Sequence, residues 1–195
     1  MLSQLRPAVV VLVLMTLITG VAYPLLMTGV AQVVMPYRAN GSLLTSGERI
    51  VGSALIGQPF GSDRYFHGRP SAAGANGYDA AASSGSNLGP LSKKLLDRVA
   101  ADVAKLKSEA AAAIPADAVT ASASGLDPHV SPEFALRQVP RVAAARKANE
   151  ANVRAIVEAQ VDGASLGFIG EPRVNVLELN LALDAAAAVL PVATE

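Results

Sequence analysis

The chain contains 195 residues, 51% of them hydrophobic and 16% charged, and its 16 basic residues balance its 16 acidic residues. Because it has no cysteine, a disulfide scaffold is excluded, as is any zinc or iron–sulfur site that needs thiolate ligands. The balanced charge does not indicate a nucleic acid partner. The length suits one domain of ordinary size.

Much of the apolar content lies near the N-terminus, where positions 7–37 carry no charged residue. A helix of about 20 apolar residues crosses a bilayer, and a helix satisfies its own backbone hydrogen bonds in lipid. The segment predicts a transmembrane helix over residues 9–33, with a kink at Pro24. A cleaved signal peptide is the alternative. Residues 29–31 resemble a small-residue cleavage site, although the apolar run is longer than such signals have.

The charges on the two sides of this span favour one orientation. Arg6 precedes the span with no acidic residue, whereas residues 39–195 carry a slight acidic excess. The positive-inside rule then favours a cytoplasmic N-terminus over residues 1–8. We expect residues 39–195 to form a single extracytoplasmic domain.

Residues 57–90 are rich in glycine, proline, serine and asparagine and predict a long loop. Half of the aromatic residues of the chain also lie in it, and disordered segments are poor in aromatics. A loop of this length is rare in a compact domain unless it is functional or disordered. We therefore expect an ordered, packed loop with short strands near residues 65–66.

Helical patterns follow this loop. Over residues 92–114, apolar side chains recur at three- and four-residue steps, and Pro115 ends the pattern. A second helix begins at residues 131–133, where serine caps, proline takes the first helical position and glutamate meets the helix dipole. Pro140 is expected to interrupt or kink it. A third helix is predicted over residues 149–161.

The C-terminal segment combines a strand signal with a helix signal. We predict a short strand near residues 173–174, then a helix to about Val189, because Asn175 and Glu178 form a start that resembles a capping box. The predicted fold class is therefore α+β, with one N-terminal transmembrane helix followed by a single helix-rich extracytoplasmic domain that contains a small sheet.

One catalytic motif is present by pattern. Residues 163–167 match G-x-S-x-G, which needs a strand before and a helix after its serine. Here a helix is predicted before it, and His67 and His129 both lie upstream of Ser165, so we interpret the segment as a turn between helices. Each histidine is interpreted as a hydrogen-bonded loop residue rather than a metal ligand. A membrane-anchored hydrolase and a stand-alone anchored binding domain remain as alternatives.

Two groups of loops resemble specific structures rather than linkers. They comprise residues 65–71 with 84–90, and residues 122–132. Their glycine, asparagine and aspartate residues permit left-handed backbone and side-chain-to-backbone bonds. The residues alone favour local turn architecture over a functional role.

These loops also carry a resemblance. The chain resembles the C subunits of Kdp potassium-transporting ATPases, which are bacterial and archaeal P-type pumps. The matching stretches occur in the order of the family over nearly the whole length, at residues 5–8, 57–60, 65–71, 85–90, 119–129, 138–143 and 170–177.

The resemblance implies a non-catalytic accessory subunit with no catalytic residue, no metal ligand and no cofactor bound alone. In that family, a B subunit hydrolyses ATP, a channel-like A subunit binds and conducts potassium, and a small membrane subunit completes the assembly. The C subunit stabilises the complex and is described as a catalytic chaperone that raises the affinity of the B subunit for ATP. ATP and potassium are thus handled by the complex. The implied location is the bacterial or archaeal cell membrane.

The family motifs also supply candidate contact residues for the partner subunits. Among them, Arg69 and Arg141 are candidate interface anchors, with bracing of their own loops as the alternative. The full set is Phe66, Gly68, Arg69, Pro70, Ser71, Gly85, Ser86, Asn87, Leu88, Gly89, Pro90, Ser122, Ser124, Gly125, Asp127, Pro128, His129, Gln138, Arg141, Gly170, Arg173 and Asn175.

Overall fold

The computed structural model describes residues 4–109 and 112–189. It combines α-helices with small antiparallel sheets, which confirms the predicted α+β class. The chain divides between Leu43 and Leu44 into two compact units.

The first unit is dominated by one apolar helix. It runs from Leu5 to Val34 over 30 residues with a mean hydropathy of 2.4 in its most apolar window, and nothing in the structure covers that window. Within the described ranges it is the single helix long and apolar enough to cross a membrane. The predicted span over residues 9–33 lies inside it. A four-residue helix, Pro36–Ala39, follows.

The apolar helix contains one irregular turn. An α-helix over Leu5–Leu17 (α1) passes through a π-helical turn at Ile18–Ala22 into a second α-helix over Tyr23–Val34 (α2). Pro24 has no N–H, and its ring crowds the carbonyl four residues earlier. The widened π turn directly before it accommodates this defect within a continuous helix. The short helix at Pro36–Ala39 is numbered α3.

The second unit begins with a small hairpin. Strands β1 (Leu43–Ser46) and β2 (Arg49–Ser53) pair as a two-stranded sheet. From there to helix α4 (Lys93–Glu109) the regular structure consists of one short 3-10 turn at Ala80–Ala82. Of the helix predicted over residues 92–114, α4 covers Lys93–Glu109, residues 112–114 are not helical, and residues 110 and 111 lie outside the described residues.

The C-terminal half forms the core of the unit. A three-stranded antiparallel sheet has the order β3-β5-β4, with His129 opposite Asn175 and Val161 opposite Val174. The strand predicted near residues 173–174 and the helix that follows it are both confirmed. In chain order the elements are β3 (His129–Val130), α5 (Pro132–Arg146), α6 (Glu150–Ala159), β4 (Val161–Asp162), β5 (Arg173–Asn175) and α7 (Val176–Val189).

The helix starts follow the predicted caps. The Ser131 hydroxyl accepts the N–H of Phe134 at the start of α5, and Asn149 caps α6 through the N–H of Ala151. Pro140 does not interrupt α5, which continues to Arg146 and ends at Lys147 in a left-handed conformation with φ of 55°.

The core is built on α5, α6, α7 and the central strand β5. Its largest fully buried side chain, Phe66, comes from the long loop and not from a helix or strand. Full burial of a phenylalanine contributes about 1.5–3 kcal/mol, so the loop is part of the core. The other fully buried side chains are Leu179, Val139, Val142, Val153, Val157 and Val174.

Two further local predictions are wrong. No strand forms near residues 65–66, because the backbone groups there bond to side chains of α5 and α7 instead of to a neighbouring strand. The turn at residues 163–167 connects β4 with β5 and not two helices. There Ser165 pairs with Ile169, and Leu166 and Gly167 take the positive φ values typical of a tight hairpin.

Candidate functional site

The family-motif loops meet in one region of the second unit. We call this region the loop junction and define it as residues 57–90 and 119–131. Side chains of β5, α5 and α7 hold it from the core side. The region contains most of the residues selected from the sequence.

Two buried amides hold consecutive peptide units of the long loop. Asn180 on α7 accepts the N–H of Phe66 at 2.8 Å and donates to its carbonyl at 3.0 Å. Gln138 on α5 does the same for His67, at 2.8 and 3.1 Å. Both amides are buried. The pair replaces the backbone partners that a sheet would supply, and it explains how an irregular segment can carry Phe66 into the core.

Two arginines donate hydrogen bonds to further backbone carbonyls of the same segment. Arg141 donates to the carbonyls of Asp63 and Tyr65 and to the Gln138 side chain. Arg146 donates to the carbonyl of Arg64 at 2.6 Å and lies over the Tyr65 ring, with 5.0 Å between its guanidinium carbon and the ring centroid. Arg141 therefore braces its own unit.

His67 is a neutral member of this network. Burial and the nearby Arg141 charge lower its pKa. Its Nε2 lies 3.1 Å from the Ser62 carbonyl, which can only accept, so the ring carries a proton on Nε2. The interpretation as a hydrogen-bonded loop histidine is confirmed.

An ion pair joins the two halves of the loop junction. Arg69 donates to Asp127 at 2.8 Å, and the other carboxylate oxygen of Asp127 accepts the backbone N–H of His129 at 3.0 Å. Burial alone would raise the pKa of Asp127, but hydrogen bonds from His129 and Arg69 outweigh it and hold the pKa below its usual value. The carboxylate is thus charged and ties the 65–71 segment to the 122–132 segment.

Ser71 and Tyr78 close the long loop on itself. The Ser71 hydroxyl donates to the carbonyl of Gly125 at 2.6 Å and accepts the N–H of Tyr78 at 2.8 Å. The Tyr78 hydroxyl donates to the carbonyl of Arg69 at 2.5 Å. Burial raises the pKa of Tyr78 to about 12, and the Asp127 charge adds to the effect, so the phenol keeps its proton.

Gly125 permits the closest approach between the two halves. It has a φ of +68°, and a Cβ there would lie 2.6 Å from the Ser84 carbonyl and 2.7 Å from the Ala73 nitrogen. Two hydrogen bonds lie beside this contact. The Ser83 hydroxyl donates to the Ser124 carbonyl, and the Ser84 hydroxyl donates to the Ala72 carbonyl.

Asn175 connects the sheet to the start of the unit. Its side-chain oxygen accepts the N–H groups of Leu177 and Glu178 at the beginning of α7, and its amide donates to the carbonyl of Ala54 at 2.8 Å. The predicted helix start at this position is confirmed. Nearby, the carbonyl of Pro128 accepts the N–H of Val176 at 3.0 Å.

Not every selected residue is drawn into these contacts. Gly170 lies exposed in the β4–β5 hairpin, and Arg173 pairs with Asp162. Ser86, Asn87, Leu88, Gly89 and Pro90 form the end of the loop junction next to α4, and within the described ranges their side chains make no hydrogen bond to its other residues. The residues that the structure brings together are Phe66, Gly68, Arg69, Pro70, Ser71, Gly85, Ser122, Ser124, Gly125, Asp127, Pro128, His129, Gln138, Arg141 and Asn175.

Two open grooves border the loop junction. One of about 370 Å³ runs between the long loop and α4, and its rim mixes cations with carboxylates, among them Lys105, Arg141, Asp102 and Glu109. The other, of about 830 Å³, is lined by Arg69, Asp127, His129 and Glu171 among others. Neither has the single-sign charge that would select a phosphate or a cation.

The structure offers no support for the serine motif as a reactive centre. Ser165 is exposed, and its hydrogen bonds to described residues are backbone bonds with Ile169 and Phe168. Both histidines are bound within or beside the loop junction. Among the described residues, no group of three or more histidine, aspartate or glutamate side chains could hold a metal ion.

Sequence reasoning missed Asn180, Arg146 and Tyr78. Asn180 had a usable signal, since it is a polar amide between Leu179 and Leu181 in an otherwise apolar helix, and a buried amide needs partners. Arg146 and Tyr78 look like ordinary surface residues in the sequence. The role of Arg146 depends on the Arg64 carbonyl, 82 positions away, whereas Tyr78 binds the Arg69 carbonyl within the same irregular loop, where no helix or strand period predicts the contact.

Replacing Gly125 by alanine should destabilise the domain by about 2 kcal/mol or more, because the left-handed backbone is strained and the added Cβ has no space. Thermal unfolding of the purified full chain measures this. Gly163→Ala is the matched control, since Gly163 has no neighbour within 4 Å and should change stability by less than about 0.5 kcal/mol. Equal effects of the two variants would contradict the close approach at Gly125.

The Asp127 carboxylate should make stability depend on acid pH. Because its folded pKa is lowered, its contribution is complete above the ordinary carboxyl pKa of about 4 and is lost as the pH falls through the folded value. The stability gap between the parent chain and Asp127→Asn should therefore be largest near neutrality and shrink in acid.

Urea unfolding over a pH series measures that gap. Asp97→Asn is the control, because Asp97 pairs with Lys93 on the exposed face of α4 and should give a small gap at every pH. A gap for Asp127→Asn that stays constant from neutral to acid pH would contradict the prediction.

Comparisons with known proteins assign this architecture to a family. The model of the family described as KdpC, the K+-transporting ATPase c chain, matches residues 5–185. The potassium-transporting ATPase KdpC subunit of Rhodopseudomonas palustris (strain BisB5) is 59% identical, covering 95% of this chain and 98% of that protein.

Other relatives show the same extent of similarity. The KdpC subunit of Caulobacter vibrioides (strain NA1000 / CB15N) is 60% identical over 95% of this chain and 94% of its own length. That of Bradyrhizobium diazoefficiens is 56% identical over 96% of this chain and its full length. The chain therefore belongs to the KdpC family and is a non-catalytic subunit of the Kdp potassium-transporting ATPase.

Proposed function

We propose that the chain stabilises the assembled Kdp pump and raises the affinity of its ATP-hydrolysing subunit for ATP, acting from outside the cytoplasm. The observation that carries the proposal is the combination of an apolar anchor with a domain whose family motifs converge on one braced region. Such a region presents a fixed surface, as expected of a docking element and not of an active site.

The partners follow from the assembly to which the family belongs. We propose contacts with the channel-like potassium-binding A subunit, the ATP-hydrolysing B subunit and a small membrane subunit. The contact surface comprises the exposed parts of residues 57–90 and 122–132, and the buried contacts of the loop junction support it. Arg69 and Arg141 set the shape of this surface from within, since both are engaged in their own unit.

The apolar helix is retained as a membrane anchor in this proposal. The matched family region starts at residue 5 and thus includes it, which favours retention over cleavage near residues 29–31. The charge difference across the span favours a cytoplasmic N-terminus and an external domain.

Cysteine labelling can test this topology, because the chain has no cysteine of its own. Ser165→Cys places a thiol in the exposed β4–β5 turn, and Ser3→Cys places one before the span. A membrane-impermeant maleimide added to spheroplasts should label Ser165→Cys at once and Ser3→Cys after permeabilisation. The reverse pattern, or labelling of both before permeabilisation, would contradict the external domain.

An external domain cannot touch cytoplasmic ATP. Its effect on ATP affinity is then a coupling free energy transmitted through the assembly, and such coupling is reciprocal. ATP should therefore tighten the association of the chain with the rest of the pump, just as the chain tightens the binding of ATP.

Gly61→Arg should weaken both properties without disturbing the fold. Gly61 is exposed in the long loop and has no neighbour within 4 Å, so a long cationic side chain fits the free domain but obstructs a docked surface. We expect several-fold less of the other pump subunits to co-purify with the tagged chain from native membranes. The KM for ATP of the extracted complex should rise.

Gly163→Arg is the matched control, since Gly163 is equally open but lies outside the proposed surface. It should leave co-purification and the KM for ATP unchanged. Full recovery of the partners with Gly61→Arg would remove this part of the loop from the interface. Unchanged ATP kinetics after loss of the chain would refute the effect on ATP affinity.

A further inference from the structure

The tripeptide Ala-Asn-Gly occurs twice in the chain, at residues 39–41 and 75–77. An asparagine followed by glycine is chemically labile, because the missing side chain lets the glycine nitrogen reach the asparagine side chain. Both asparagines are exposed, so exposure does not distinguish them. Their hydrogen bonds do.

At the first copy, both reacting groups are engaged. The Asn40 amide donates to the Pro36 carbonyl at 2.8 Å and to the Gln32 side chain at 3.2 Å, and its oxygen accepts from Gln32. The Gly41 N–H donates to the Arg38 carbonyl at 3.1 Å. The side chain and the nucleophilic nitrogen must both leave these partners before they can meet.

At the second copy, within the described ranges, neither the Asn76 side chain nor the Gly77 N–H makes a hydrogen bond. Gly77 has a φ of +76° and forms the turn that leads into Tyr78. We propose that Asn76 is a site of spontaneous intramolecular deamidation and that the identical sequence at Asn40 is protected.

The deamidation consumes one water molecule, releases one ammonia and needs no other reactant. The Gly77 nitrogen loses its proton and attacks the side-chain carbonyl carbon of Asn76. The new C–N bond closes a five-membered imide, and the side-chain nitrogen leaves as ammonia. Water then opens the imide at either carbonyl, giving aspartate with the original backbone or isoaspartate with one additional main-chain carbon.

Both products alter the loop junction. Asn76 lines the groove that also contains Lys105 and Arg141, so either product adds a carboxylate to a rim that holds cations. Isoaspartate in addition lengthens the backbone directly before Tyr78, whose N–H and hydroxyl hold Ser71 and Arg69 in place. The modification thus acts on the contacts that close the long loop.

Peptide mapping of the assembled pump tests the proposal with an internal control. Trypsin separates the two sites, because cleavage after Arg38 and Arg49 releases Asn40, and cleavage after Arg64 and Lys93 releases Asn76. The complex is incubated at mildly alkaline pH and sampled over time. Mass spectrometry follows the replacement of amide by carboxyl, and fragmentation assigns the position. An isoaspartyl methyltransferase with labelled methyl donor reports isoaspartate.

In the folded complex, Asn76 should deamidate at least about tenfold faster than Asn40, because the bonds at Asn40 must open first. In the urea-denatured chain the two rates should be similar, since the local sequence is the same. Asn76→Gln should remove the isoaspartyl signal from the tryptic peptide of residues 65–93, because its ring closure would need a six-membered imide. Equal rates at the two sites in the folded complex, or an isoaspartyl signal that persists in the 65–93 peptide of Asn76→Gln, would overturn the proposal.

Discussion

The fold of the domain depends on two side-chain amides that bind the backbone of an irregular loop, as a neighbouring strand would do. Asn180 and Gln138 bind both backbone groups of Phe66 and His67, respectively. A buried peptide unit without partners would cost about 1–3 kcal/mol for each unsatisfied group. Because the two amides meet this demand, an irregular loop can insert its aromatic ring among the helices. The remaining contacts of the loop junction, from the Arg69–Asp127 ion pair to the approach at Gly125, then have a fixed base.

The regular elements could be predicted because their signals are local. Ser131, Pro132 and Glu133 mark the start of α5 within three positions, and Asn175 marks the start of α7 in the same way. The uncharged run over residues 7–37 likewise predicts the apolar helix from composition alone. The sequence predicts that Pro140 interrupts or kinks α5, but the helix continues through it. A helix that packs on several sides tolerates one lost hydrogen bond.

The irregular part could be predicted only to the level of an ordered loop. Its aromatic content indicates that it packs, but the strands predicted near residues 65–66 do not form. The backbone there bonds to side chains more than 70 positions away and not to a neighbouring strand. The same holds for the motif loops. The residues alone favoured local turns, the resemblance supplied the family, and neither could show that Arg69 binds Asp127 while Arg141 holds the long loop. Those pairings depend on tertiary distances that no short motif encodes.

The hydrogen bonds between Asn180 and Phe66 have a consequence for the order in which the domain folds. Its partner Asn180 lies 114 positions later, close to the end of the chain. While the ribosome is still translating α7, the long loop has no way to bury its aromatic ring, and closing so large a circuit carries a high entropic cost. The long loop therefore reaches its native packing only after α7 has been synthesised, and the earlier parts of the domain cannot complete their core before that helix is available.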